Sequence, residues 1–193
     1  MVRYGRVRQG LVGQGKARSF NFSSQFGLGL VGVQVAKAVL RSHYEDIEDY
    51  ANDKEMQKRG IDLYVGGLGY LEVKTDTHSP DRFFFELDVE GKPGAVDRSS
   101  ADYFGILFPE HRVLYLIPRP ALQKWLRDNM GWIEKEHPER VRFITSNENG
   151  RCWRAKGVIV PRRILAADIK ISAILWVEED EVIVGKEMEH EHV

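Results

Sequence analysis

Three residues in the segment 60–74 have types and spacing that could do chemistry: Asp62, Glu72 and Lys74. Alternation of apolar and polar residues predicts two short strands, 61–65 and 69–75, joined by a glycine turn. Ile61, Leu63 and Val65 share one face of the first strand, and Leu71, Val73 and Thr75 share one face of the second. The opposite faces carry Asp62 with Tyr64, and Tyr70 with Glu72 and Lys74. Two carboxylates and an ammonium converging on one side of a sheet supply hard oxygen ligands for Mg²⁺ and a cation that can orient water. Phosphodiester hydrolysis needs such a set.

Convergence depends on register. A two-residue Gly66-Gly67 turn pairs Val65 with Leu68, sets Asp62 against Leu71 and sends Glu72 to the other face. A three-residue loop, Gly66-Gly67-Leu68, pairs Val65 with Gly69 and places Asp62 opposite Glu72. Glycine readily takes the left-handed conformation that such a loop needs, so an odd-length connection is predicted. Taken singly, each charged residue fits an ordinary solvated strand. The agreement of parity across both strands favours a shared site.

Asp-x9-Glu-x-Lys in this setting resembles the signature of the PD-(D/E)XK nuclease superfamily. The order of blocks around it is similar to small phage-type nuclease proteins: Asn52-Asp53-Lys54-Glu55 and Gln57 before it, then Phe83-Phe84-Phe85-Glu86, Pro93-Gly94, Ser100-Ala101-Asp102-Tyr103 and a helix containing Leu122 and Leu126. The likeness covers about residues 27–127. It implies a restriction-endonuclease-like α/β core, with a central mixed β-sheet flanked by helices. It implies a metal-dependent DNA nuclease, endonuclease or exonuclease, working in phage or prokaryotic recombination, repair or genome processing, branched-DNA resolution included.

In that reading Asp62 and Glu72 bind Mg²⁺ or Mn²⁺ with the Val73 carbonyl, and Lys74 positions the attacking water. Attack is in line and leaves a 5′-phosphate. A homodimer is the family-based expectation. Many members also carry a glutamate on the first helix. Here no acid lies between Leu28 and Arg41, and Gln34 is left for a weaker role beside the metal. Ile61 stands where a proline usually precedes the first aspartate. The missing helix acid supports an alternative, a noncatalytic nucleic-acid-binding or assembly protein that retains the nuclease fold.

Other residues are ranked around this core. Gln57, just before the first strand, could contact phosphate or water. Glu86 and Asp88 share a face with Phe84, so Glu86 could add a carboxylate if that face adjoins Glu72. His78, Arg82 and Arg98 lie in or beside loops, where they could touch DNA. Gly27-Leu28-Gly29-Leu30-Val31-Gly32 matches a dinucleotide fingerprint, with acids at Glu48 and Asp49. However, the polar stretch before it does not suit the buried strand that such a fold requires, so the glycines are expected to let a helix pack closely on the sheet.

The elements that must position these residues can be read coarsely. Ser23-Ser24 can cap a largely buried helix over about 27–41, with Leu28, Val31, Val35 and Val39 on one face. A strand is expected over 44–50 and another over 83–89, broken by Gly91-Lys92-Pro93-Gly94. Strands 103–108 and 112–117 read as a hairpin around Pro109-Glu110-His111. Pro120 opens a helix with Leu122, Trp125, Leu126 and Asn129 on one face. Strands are expected near 141–145, 152–160 and 170–177, with a turn at Asn147-Glu148-Asn149-Gly150 between the first two.

The 193 residues suit one domain, 19–193, in which 140–193 is the least distinctive part. A basic arm, 1–18, precedes it. Arg3, Arg6, Arg8, Lys16 and Arg18 make this glycine-rich arm purely basic, and it could follow a phosphate backbone. Residues 178–193 hold seven acids and one lysine, and the net charge is −1. No long apolar run suggests a membrane span or secretory signal. The single cysteine, Cys152, excludes an internal disulfide framework and fits a cytoplasmic setting, host cytoplasm if phage-encoded. The histidines show no zinc spacing.

Overall fold

The computed structural model describes residues 25–148 and 151–176. Its strands form two sheets. The larger is mixed, with six strands in the order β1 (Ile47–Asp49), β2 (Leu63–Val65), β3 (Gly69–Thr75), β6 (Tyr103–Phe108), β7 (Val113–Pro118) and β10 (Ser172–Leu175). Its pairs are antiparallel except β3 with β6. The chain leaves β3, builds part of the second sheet, and returns through α3 (Ala95–Arg98) to lay β6 beside it. The second sheet is antiparallel, ordered β5 (Lys92–Pro93), β4 (Arg82–Val89), β9 (Arg151–Pro161) and β8 (Val141–Glu148).

A mixed sheet flanked by helices is thus present, and the second sheet is a correction to the single central sheet expected. Strand alternation within β4 says which side chains are buried, not which strand lies beside it. The Gly91-Lys92-Pro93-Gly94 segment also does more than end β4. Glu90 and Gly91 take positive φ values of 52° and 79°, and the chain folds back to pair Lys92 with Val89.

Two apolar cores cover the two faces of the six-stranded sheet. On one side α1 (Gln25–Arg41) buries Val33, Val35, Ala36, Val39 and Leu40 against Leu63, Val65, Leu71 and Val73. Gly32 is where α1 crosses the sheet, since an added Cβ would fall 1.9 Å from Thr75 Oγ1. The GxGxxG stretch lies inside this helix rather than at a strand-to-helix turn. On the other side Phe104, Ile106, Tyr115 and Ile117 meet Phe83, Phe85, Val158 and Val160 of the second sheet. The helix α4 (Arg119–Glu136) closes that core with Leu122, Trp125, Leu126 and Ile133, whose spacing sets them on one stripe. The Trp125 indole N–H donates to Asp168, 2.7 Å away, at the end of α5 (Arg162–Asp168).

Segment 141–176 therefore contributes to both sheets. The 44–50 strand is shorter than expected, reduced to Ile47–Asp49. Ser23, Ser24, the Asn149-Gly150 step, the basic arm and the acidic tail lie outside the described residues.

Candidate active site

The glycine loop sets the register. Val65 pairs with Gly69, Tyr64 with Tyr70 and Leu63 with Leu71; just before β2 the Asp62 amide donates to Leu71 O at 2.9 Å and its carboxylate accepts the Val73 amide. Gly67 and Gly69 have φ values of +77° and +112°, conformations that residues with a Cβ rarely adopt. The odd-length connection expected from the sequence is the one present, and Asp62, Glu72 and Lys74 line one cleft of 350 Å³.

A short helix, α2 (Lys54–Lys58), delivers Asp62 to that cleft. Asp53 caps its start, accepting the amides of Glu55 and Met56 at 2.9 and 3.1 Å. Its end is a Schellman motif: the Gly60 amide donates to Gln57 O and the Ile61 amide to Met56 O, both at 3.0 Å, with Gly60 left-handed at φ +65°. Fully buried Ile61 then anchors the turn. Gly60 has a second reason to be glycine. A Cβ there would lie 2.9 Å from Glu72 Oε2 and 3.1 Å from Ser99 Oγ. Ser99 secures the turn, donating from its hydroxyl to Gly60 O at 3.0 Å while accepting the Ala101 amide at 3.1 Å.

The carboxylates sit in different surroundings. Asp62 Oδ2 accepts the Val73 amide at 2.7 Å, serving that backbone donor where β2 gives out. Burial pushes the Asp62 carboxyl above the ordinary carboxylate range. Glu72 and Asp49 add to the rise, against the Val73 amide and Lys74. Glu72 is only 3% exposed. Its Oε1 lies 2.6 Å from Lys74 Nζ, while Oε2 is buried with no hydrogen-bond partner among the described residues. Lys74 itself is half exposed.

The remaining candidates divide around this centre. Gln57 and Arg98 line the cleft, and the Gln57 side chain donates to Ala51 O. Gln34 does not face Glu72. It donates to Asp49 Oδ2 at 3.0 Å, beside Lys37 at 2.7 Å. Burial pushes the Asp49 carboxyl up, but the Lys37, Ala51 and Gln34 hydrogen bonds outweigh it and hold it low. Asp49 was missed as a site neighbour, although its strand pairs with β2 and its charge acts on Asp62. Glu86 does not share a sheet with Glu72, because β4 pairs with β5 and β9. It instead lines a smaller neighbouring hollow with Lys74 and Phe84. His78 and Arg82 line a larger groove beside the cleft. Val73 meets Asp62 through its amide. Arg3, Arg6, Arg8, Lys16 and Arg18 lie outside the described residues.

No protein-family model, curated protein or solved structure matches this chain.

Among the described residues, no three His, Cys, Asp or Glu side chains gather as a ready metal cluster. The donor set is two carboxylates, which suits a hard cation that keeps water and substrate oxygens in its other positions. Glu72 Oε2, buried and partnerless, is an acceptor that a cation would satisfy, and the missing Cβ of Gly60 leaves room beside it. No helix among the described residues is long and apolar enough to cross a membrane.

Proposed function

We propose that this chain is a Mg²⁺- or Mn²⁺-dependent DNA phosphodiesterase with a restriction-endonuclease-like core. The observation that carries the reading is the one cleft that Asp62, Glu72 and Lys74 line together, with Lys74 on one Glu72 oxygen and the other buried without a partner among the described residues.

Asp62 and Glu72 would hold the ion, with the Val73 carbonyl as a third protein ligand. When bound, the ion supplies a more acidic water and neutralises charge on the phosphate. Each side chain has a definable task. The Val73 amide fixes the Asp62 carboxylate before any ligand arrives. Half-exposed Lys74 can turn from Glu72 toward solvent, where its ammonium holds the attacking water or a phosphate oxygen. Arg98 on the cleft wall offers a second cation to the phosphate. Burial raises the proton affinity of Asp62, so a cation nearby favours the ionised pair.

One observation favours a noncatalytic nucleic-acid-binding protein instead: Lys74 already neutralises Glu72, and no third acidic or histidine ligand joins the pair among the described residues. Incubation with plasmid, single-stranded, branched and RNA substrates in Mg²⁺, Mn²⁺ or EDTA separates the two. The nuclease reading expects metal-dependent cleavage of DNA. Binding without cleavage on every substrate would leave the noncatalytic reading.

A further inference from the structure

A hollow of 730 Å³ lies beside the acid cleft. Gly29, Val73 and Lys74 line both, so the two adjoin. One wall is the second sheet, and its register fixes which side chains stand there. Arg82 pairs with Pro161, Phe84 with Ile159 and Glu86 with Gly157, while Arg142 pairs with Gly157 from the other side and Ile144 with Ala155. Directly paired residues share a face, so Arg82, Phe84, Ile159, Arg142 and Ile144 stand together.

This face is unusual in two respects. Phe84 lies over Gly157, where an added Cβ would come within 2.1 Å of the ring, so glycine provides the seat on which the ring rests. Ile144 is 41% exposed beside it, an aliphatic side chain left open on a groove wall. The charged rim is mostly basic. Lys74, Arg82 and Arg142 line the groove, and its one acid, Asp76, is bonded to His78. Among the described residues neither Arg82 nor Arg142 makes an ion pair. A positive rim on a chain of net charge −1 complements a polyanion.

We propose that this groove holds an unpaired segment of DNA, with a base stacked on Phe84 and phosphates on Arg82 and Arg142, and leads the strand to Asp62 and Glu72. This deepens the nuclease reading and rests on it for the choice of DNA. An unpaired strand fits better than a duplex because apolar walls reach base faces only where bases are unstacked. A duplex would present phosphates and base edges, leaving Phe84 and Ile144 against water.

Fluorescence anisotropy with labelled oligonucleotides in EDTA reads binding apart from cleavage. Single-stranded DNA should bind more tightly than duplex of the same sequence. Phe84→Leu should weaken it by about tenfold, within the range that one base–aromatic stack contributes, and Phe84→Tyr should restore it. Arg142→Gln should weaken it and reduce the salt slope by about 0.7, as expected for one lost phosphate contact on a single strand. Circular dichroism confirms that each variant folds. Equal affinity for duplex, a preference for RNA, or an affinity that Phe84→Leu leaves unchanged overturns the proposal. Cleavage is scored separately. Groove-dependent binding without metal-dependent cleavage would leave this proposal standing and remove the nuclease reading. Asp62-dependent cleavage that Phe84→Leu does not alter, with no single-strand preference, would do the reverse.

Discussion

Lys74→Ala removes the cation that lies 2.6 Å from Glu72 Oε1. The cost follows from the asymmetry of the pair. Lys74 is half exposed and is readily hydrated, but Glu72 is almost wholly buried and its second oxygen has no partner among the described residues. Breaking a fully buried ion pair costs about 3–5 kcal/mol, and losing a hydrogen bond to a charged group costs about 1.5–3 kcal/mol. One wet partner puts this pair at the lower end, about 2 kcal/mol. In a chain of this size that lowers the melting temperature by about 4–8 °C. The assay is thermal unfolding in EDTA and in Mg²⁺, with wild type, Lys74→Ala, Glu72→Gln and the double variant. In EDTA the double variant should recover much of the loss, because a neutral amide needs no counter-charge. Mg²⁺ should stabilise Lys74→Ala more than wild type, since the ion supplies the charge that the lysine no longer does and binding adds stability to the folded state. If Lys74→Ala melts with wild type in EDTA and Mg²⁺ shifts both alike, the reasoning about Glu72 is refuted.

Asp62→Asn carries a signed pH dependence. Burial raises the folded-state affinity of Asp62 for its proton, so the native chain binds more protons than the unfolded chain between the ordinary carboxylate value and the raised one. Stability from this residue therefore falls as pH rises through that window. The asparagine, which keeps an acceptor for the Val73 amide, should be at least as stable as wild type at neutral pH without metal; urea titrations across pH would show the opposite if the burial argument is wrong. Gly60→Ala should cost about 1–3 kcal/mol, combining a left-handed backbone with a Cβ 2.9 Å from Glu72 Oε2, and should weaken Mg²⁺ binding measured by calorimetry. Deleting residues 1–18 should weaken DNA binding chiefly at low salt; an unchanged salt slope would deny the arm any phosphate contacts.

The parts of the site set by strand parity were legible in the sequence, because period two and glycine chemistry leave few alternatives. The odd-length Gly66-Gly67-Leu68 loop, which pairs Val65 with Gly69, was legible, and Gly67 and Gly69 take positive φ values there. The helix α4 was legible because Leu122, Trp125 and Leu126 repeat at helical spacing after Pro120. Short elements were not. The helices α2 and α3 are too brief to show a period, although Asp53 and Gly60 bracket α2 with cap chemistry that could have exposed it. Sheet membership was also hidden. The alternation of Phe83 to Glu86 is the same whichever strands flank it, so nothing local placed Glu86 in a second sheet, and the register shift between Glu86 and Asp88 breaks the parity assumed beyond it. Asp49 escaped because its relation to Asp62 depends on β1 joining β2 and on α1 supplying Gln34 and Lys37. The absence of an acid on α1 thus coincides with an acid on the neighbouring strand that the helix holds by hydrogen bonds.

The central claim is that Asp62 and Glu72 hold a metal for phosphodiester hydrolysis. Single-turnover cleavage of DNA by wild type and Asp62→Asn, in Mg²⁺ and with EDTA as control, tests it most directly. Wild type should cleave only with metal, and cleavage should fall at least about a hundredfold in Asp62→Asn that folds and binds DNA normally, as expected when one charged ligand of a catalytic ion is lost. Undiminished metal-dependent cleavage by Asp62→Asn would contradict it.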